Sequence, residues 1–294
     1  MLFYIVFDIN ILNRPILQDC MDAKFVIRNG ELIKKEDANI SVYNKALFFD
    51  FSVYSNVKVV QGKMFCPDSV IQNLFDSAKT IGIQHNFKQN EVWEWIRKLV
   101  KENNLKDALI RMLLIGQEKN TEPLLFLFPV GLTFHPEKLY NQGAKLITFE
   151  GERFMPNSKT KNLLMSYMAY TEAAKNGAID ALLVDRDGNI QEGTRSSFFV
   201  IKGNTLIAPP KQKVLQGMTR KTILDIAKDV IEIKEEDIPL AKIKEYDEYL
   251  LSGTSLKLMP IRQINEDIVM ENVGPKIKEL QKLFKEYSES KFVD

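Results

Sequence analysis

Residues 187 to 201, DGNIQEGTRSSFFVI, restrict the fold more than any other stretch of the chain. They open in a turn, Asp187-Gly188-Asn189, and close in a strand-like apolar run from Phe198 to Ile201. Between the two lies a single carboxylate, Glu192, followed by glycine and small hydroxyl residues around Arg195. A carboxylate leading into so apolar a strand is costly to bury without a partner. The chain must therefore build a buried strand and bring something to meet Glu192.

A length of 294 residues allows two domains or one large one. Forty basic and thirty-nine acidic residues leave a net charge of +1, so no global field draws the chain to nucleic acid or an anionic membrane. Cys20 and Cys66 form no metal-type spacing, which suits a reduced, cytoplasmic setting. The opening MLFYIVFDINILNRPIL is interrupted by Asp8, Asn10, Asn13 and Arg14, and reads as a strand and loop, not a signal peptide or membrane span. His85 and His135 are the only histidines, and neither sits near a serine or carboxylate cluster. A zinc site or Ser-His-Asp triad is thereby disfavoured, and proton chemistry falls to lysine, carboxylate or a cofactor.

Residues 24 to 66 read as a meander with turns at Asn29-Gly30 and Gln61-Gly62. A helix follows Pro67, with Asp68 able to cap it and Val70, Ile71, Leu74 and Ala78 on one face; EVWEWIRKLVKENN is a second helix. ALIRMLLIG and PLLFLFPVGL read as strands. This α+β unit is expected to span 1–132, with 133–143 (TFHPEKLYNQG) as an aperiodic connection and 144–294 as the second domain. The second unit reads as strands AKLITFE, AIDALLVD and TLIAPP, helices from Leu163 to Asn176 and over TRKTILDIAKDV, and a strand, EYLLSGTSLKLMPI, broken by Gly253. A helix beginning at Gly274-Pro275 closes the chain.

Three places in the second unit share a chemical theme. In QGMTRKTIL, Gly217 lets the backbone bend, and Met218 and Thr219 offer amides and a hydroxyl at a helix start, an anion site suited to phosphate. An ordinary capped helix is the other reading, but Arg220 and Lys221 at the positive end of a helix dipole are misplaced without an anion. In LSGTSLK, the donors Ser252, Thr254 and Ser255 surround Gly253, where a bulge, a ligand or a plain strand end would each fit. In PNSKTKNLL, Lys159 and Lys161 precede an apolar helix. Either is a solvated surface charge or, if desolvated, a Schiff-base nucleophile.

The order of these motifs resembles the class IV (fold-type-IV) pyridoxal-phosphate aminotransferases, the group of D-amino-acid and branched-chain transaminases and aminodeoxychorismate lyases. The resemblance runs from about Phe25 to the C-terminus through VIRNGELI, SKTKNLL, EGTRSSFFVIKGNTLIAPP, LQGMTRKTIL and SGTSLKLMPI. It implies an α+β fold with a small first domain and a barrel-like second one, and a homodimer. Lys159 would hold pyridoxal 5'-phosphate as a Schiff base and act as the base between substrate and cofactor. Glu192 would face the pyridine nitrogen, while Gly217, Met218, Thr219, Thr254 and Ser255 would hold the phosphate. The substrates implied are an amino acid and a 2-oxo acid. No metal, nucleic-acid or membrane partner is expected.

Departures from the pattern are specific. Asn73 stands where the family has a phosphate-binding arginine, and asparagine cannot neutralise a dianion. Asp50-Phe51-Ser52 replaces a glycine-rich turn, Ser55 a common acid, and Ser197 an asparagine. Lys159 and Asn162 have the spacing of the D-amino-acid and lyase branches, favouring a D-amino-acid substrate; Leu163 occupies the place of a branched-chain tyrosine. Arg195 is the candidate for the substrate carboxylate, with Arg111 second; a structural salt bridge is the competing role for each. An aminodeoxychorismate lyase, a branched-chain transaminase and a catalytically drifted relative are the alternatives.

Overall fold

The computed structural model describes residues 23–117 and 122–293; the N-terminal strand expected from the sequence, and Cys20, lie outside the described residues. The first sheet begins with β1 (Phe25–Arg28) and β2 (Glu31–Lys34), joined through Asn29 and Gly30, both at positive φ (49° and 88°). Such a two-residue turn matches the twist of the paired strands. After a short helix α1 (Lys45–Phe48) come β3 (Ser52–Val60) and β4 (Lys63–Phe65), turning at Gln61-Gly62 in the same manner. Helices α2 (Pro67–Thr80) and α3 (Gln89–Glu102) precede β5 (Ala108–Ile115) and β6 (Leu124–Val130).

The α2 helix starts one residue earlier than the sequence suggests. Pro67 takes its first position, where no amide hydrogen bond is lost, and Asp68 sits inside the first turn. The first-sheet core packs Ile71 and Leu74 of α2 and Ile96 and Leu99 of α3 against Val57, Ile110 and Leu127.

The connection at 133–143 contains a short helix, α4 (Glu137–Gln142), where the sequence shows no periodicity. Leu139 and Tyr140 on it pack against the second core, so tertiary contact rather than local pattern supports it. Beyond it run β7 (Ala144–Glu150), α5 (Leu164–Lys175), β8 (Asp180–Val184), β9 (Asn189–Gly193), β10 (Ser197–Lys202) and β11 (Thr205–Ala208). Then come α6 (Met218–Ala227), β12 (Glu232–Glu235), β13 (Ile238–Pro239), β14 (Glu248–Gly253), β15 (Lys257–Ile264), β16 (Asp267–Ile268), α7 (Pro275–Glu289) and β17 (Phe292–Val293). EYLLSGTSLKLMPI is thus an antiparallel hairpin, not one interrupted strand: Gly253 ends β14 and residues 254–256 turn the chain.

Two sheets result. The first has the order β17-β4-β3-β5-β6-β1-β2, so the last strand of the chain returns to the first sheet. The second runs β12-β11-β10-β14-β15-β7-β8-β9-β13, and a further pairing of β9 with β10 closes six of its strands into a barrel. The closing pair is Glu192 with Ser197. Phe198, Phe199, Leu250, Leu251 and Met259, from both faces of their strands, share one buried core with Ile277, Leu280 and Phe284 of α7. Glu248 of β14 accepts hydrogen bonds from the Lys276 and Ile277 amides (3.2 and 2.8 Å) and so caps α7.

The bend from β9 into β10 is held by one buried acid. Asp180 on β8 accepts hydrogen bonds from the Thr194 hydroxyl (2.5 Å), the Thr194 amide (3.2 Å) and the Ser196 hydroxyl (2.7 Å). Gly193 is required beside it, because a Cβ there would collide with Ser196 Oγ and lie 2.7 Å from Asp180 Oδ2. No helix among the described residues is long and apolar enough to cross a membrane. Asp180→Ala leaves two buried hydroxyls unpaired and is expected to lower stability by about 2–4 kcal/mol, read as a lower urea midpoint with an unchanged slope.

Candidate active site

Between the two sheets lies a cavity of about 190 Å³. The first sheet and its helix contribute Tyr54, Asn73 and Ser77, and the barrel contributes Lys159, Glu192, Thr219, Ser252 and Thr254. Lys159 precedes α5 in sequence, yet the first sheet fixes it. Its amide donates to Ser77 Oγ (3.1 Å) and its carbonyl accepts from the Tyr54 amide (3.0 Å). The next residue, Thr160, makes an antiparallel bridge with Val53. The segment is therefore bridged to β3, and a lysine from the barrel's chain is delivered to the cavity between the sheets. Its Nζ stands 4.8 Å from the centre of the Tyr54 ring.

Glu192 meets Arg153. The Arg153 guanidinium donates to Glu192 Oε1 at 3.1 Å, and the two side chains are 10% and 7% exposed, so the charges are paired out of solvent. Arg153 is itself oriented by the carbonyls of Ser158 (2.7 Å) and Pro156 (3.3 Å). The Leu215 amide donates to Glu192 Oε2 at 3.3 Å. Burial pushes the Glu192 carboxyl above the usual carboxylate range, against the pull of Arg153, the Leu215 amide and Lys159. Each carboxylate oxygen can accept two hydrogen bonds, so Glu192 keeps capacity for a donor in the cavity. At Tyr54, burial opposes ionisation, but Lys159, Arg153, Arg111 and Arg195 together outweigh it and hold the hydroxyl below its ordinary pKa.

The start of α6 lines the same cavity as this pair. Gly217 occupies the N-cap with extended backbone (φ −63°, ψ 152°), so the Met218 and Thr219 amides open the helix. Amides of a first turn have no partner within the helix. A Cβ at Gly217 would meet nothing within 4 Å. Ser252 Oγ, on a residue 1% exposed, is buried with no hydrogen-bond partner among the described residues. Free amides, an unpartnered hydroxyl, a carboxylate with spare acceptor capacity and an amine share one cavity. This donor set fits a phosphorylated aldehyde with a basic ring nitrogen, as pyridoxal phosphate is.

Of the residues expected from sequence, Lys159, Glu192, Arg195, Gly217, Met218, Thr219 and Thr254 line this cavity. Ser255 does not; it lies half-exposed in the turn between β14 and β15. Arg111 does not line it either: its Nε donates to Asn56 Oδ1 (3.1 Å), and its guanidinium lies 5.4 Å from the Tyr54 ring. Arg195 is exposed, with its guanidinium over the Tyr170 ring at 4.3 Å. Lys161 is paired with Asp50 (3.5 Å) away from the cavity. Arg220 corrects the sequence reading. It is 2% exposed and donates to Glu235 (3.0 Å), Gln216 (3.0 Å) and the Pro209 carbonyl (2.9 Å), so an internal acid, not a bound anion, satisfies it.

Arg153, Tyr54 and Ser77 were not singled out as site residues from the sequence; Ser252 was named only as a small donor beside Gly253. Arg153 was findable as the one arginine in the polar loop before Lys159; Tyr54 and Ser77 act on a residue 105 and 82 positions away, which no local pattern encodes. Arg153→Met strands a buried carboxylate and is expected to cost about 3–5 kcal/mol, measured by urea denaturation, with Arg153→Met/Glu192→Gln regaining most of the loss.

The amino-transferase class IV family model matches residues 52–264. The branched-chain-amino-acid aminotransferase of Escherichia coli (strain K12) is 29% identical over 285 residues, covering 89% of this chain and 92% of that protein. The D-alanine aminotransferase of Staphylococcus epidermidis (strain RP62A) is 30% identical over 277 residues, covering 90% and 98%. A crystal structure of the E. coli branched-chain enzyme superposes with a TM-score of 0.83 at 26% identity, covering 90% of this chain and 95% of that one. With sheets, cavity and motif order in agreement, the chain belongs to the class IV aminotransferases, enzymes that work with pyridoxal 5'-phosphate.

Proposed function

We propose that this enzyme moves an amino group between an aliphatic amino acid of the branched-chain class and a 2-oxo acid, with Lys159 as covalent anchor and base. One observation carries the assignment of roles: the Lys159 amine and the buried Arg153–Glu192 pair line the same cavity. When bound, pyridoxal phosphate supplies a sink for the electron pair left at the substrate α-carbon. Glu192 would face the ring nitrogen, and Arg153 favours the ionised form of that carboxyl against the opposing effect of burial. Lys159 Nζ, over the Tyr54 ring, would take the α-proton from the substrate and deliver it to C4′ of the cofactor. The Met218 and Thr219 amides and the hydroxyls of Thr219, Ser252 and Thr254 would hold the phosphate. Arg195 binds the substrate carboxylate; Arg111 and Ser255, outside the cavity, are assigned supporting roles only.

The branched-chain assignment draws on the E. coli relative and on Val70, Leu163, Leu215 and Met218, which give the cavity apolar surface. The Lys159–Asn162 spacing and the S. epidermidis D-alanine aminotransferase support a second reading, a D-amino-acid donor. We read the chain as two domains joined at 133–143. Tyr43, Phe48 and Phe49, 91%, 85% and 76% exposed, support a homodimer through that face.

Holoenzyme mixed with single L- and D-amino acids is expected to lose its cofactor absorbance band to the pyridoxamine form fastest with L-valine, L-leucine or L-isoleucine. Conversion by D-alanine alone selects the second reading, and 4-aminobenzoate from aminodeoxychorismate selects the lyase. Lys159→Ala is expected to abolish borohydride-trappable cofactor. Trapping retained in that variant assigns the anchor to another lysine. Arg195→Gln is expected to raise KM for the amino acid about tenfold or more, with cofactor affinity unchanged.

A further inference from the structure

A phosphate buried against a helix start carries nearly two negative charges, and buried charge requires a nearby cation. Position 73, the place of an arginine in the pattern this chain resembles, holds asparagine, and Asn73 lines the cavity. Asp76, one turn further along α2, lines it too, with its carboxylate held by Gln72 Nε2 at 2.9 Å. That wall of the cavity therefore adds negative charge and no positive charge.

The remaining cations of the cavity are nearly all committed. Arg153 serves Glu192, Arg195 lies on Tyr170, Lys159 sits over Tyr54, and Arg220 is sealed against Glu235. Lys221 is left. It is exposed, lines the cavity together with Gly217, Met218 and Thr219, and has no acid partner among the described residues. Its amide donates to the Gly217 carbonyl at 3.1 Å, which places it one turn above Gly217 on the same helix face. The empty space at Gly217 leaves room for a ligand below it. A cation in a helix's first turn opposes the dipole. Glu235 cancels that opposition for Arg220, and among the described residues no acid pairs with Lys221. The buried, unpartnered Ser252 hydroxyl in the same cavity independently marks a missing hydrogen-bond partner there.

We propose that Lys221 supplies the positive charge for the cofactor phosphate, so that the cation reaches it from α6 of the barrel instead of from α2 of the first sheet. The inference rests on the pyridoxal-phosphate reading of the cavity. The control is Lys257, which lines a second hollow reached from the other side of Thr219 and Thr254, alongside Lys58.

The full-length chain, freed of cofactor by dialysis, is titrated with pyridoxal phosphate and with pyridoxal, which lacks the phosphate, by fluorescence quenching. Lys221→Gln is expected to weaken pyridoxal phosphate binding about tenfold or more, to leave pyridoxal binding within about twofold, and to flatten the salt dependence. Asn73→Arg in the Lys221→Gln background is expected to restore affinity, while Lys257→Gln alone leaves it unchanged. Unaltered pyridoxal phosphate binding by Lys221→Gln, an equal loss for pyridoxal, or a loss that follows Lys257 instead each overturns the assignment. A wild-type chain that binds neither compound overturns the cofactor reading itself, whereas a wild type that binds tightly beside an unaffected Lys221→Gln overturns only the role of Lys221. Thermal unfolding of each variant without cofactor separates weakened binding from weakened folding.

Discussion

The buried Arg153–Glu192 pair is the interaction on which the rest depends. Glu192 and Ser197 form the pairing that closes the barrel, so the charged pair sits at the seam of the second sheet. An unpaired carboxylate there would oppose closure, because burial disfavours its charged form. Arg153 makes the closed barrel compatible with an ionised acid. Asp180 holds the following bend rigid through the Thr194 and Ser196 hydroxyls. The carboxylate whose charge must be compensated to close the barrel also lines the cavity.

Docking of the two sheets decides the rest of the site. Lys159 belongs to the loop before α5, but Ser77 of α2 and the Tyr54 backbone of β3 hold it. The bridge between Val53 and Thr160 ties that loop to the first sheet. β17 pairs with β4, so the end of the chain also returns to the first sheet. The cavity is therefore not a feature of either sheet alone, and changes on α2 are felt at the lysine.

Helix starts explain why similar residues play different parts here. Arg220 and Lys221 are neighbours in sequence and both oppose the helix dipole. Arg220 turns inward to Glu235 and ties α6 to β12, while Lys221 stays exposed at the cavity. Glu248 satisfies the amides of α7 from within the protein, whereas the first-turn amides of α6 face a cavity. A helix start met by an internal acid is structural, and one that opens on an empty, donor-lined space is available to a ligand.

The sequence by itself determined whatever depends on neighbours a few positions apart: the Asn29-Gly30 and Gln61-Gly62 turns, the helices from Pro67 and Gly274, the glycine start of α6, and the isolated acid before an apolar strand. Positive φ, capping and periodicity are local, and they survive without knowledge of the fold. The tertiary structure alone decided that Arg153 answers Glu192, that Arg220 is spent on Glu235, that Ser255 and Arg111 stand outside the cavity, and that 133–143 holds a helix. Each of these is a contact between segments brought together by packing. The partner of a buried charge is set by which surfaces meet, and residue spacing along the chain carries no record of that.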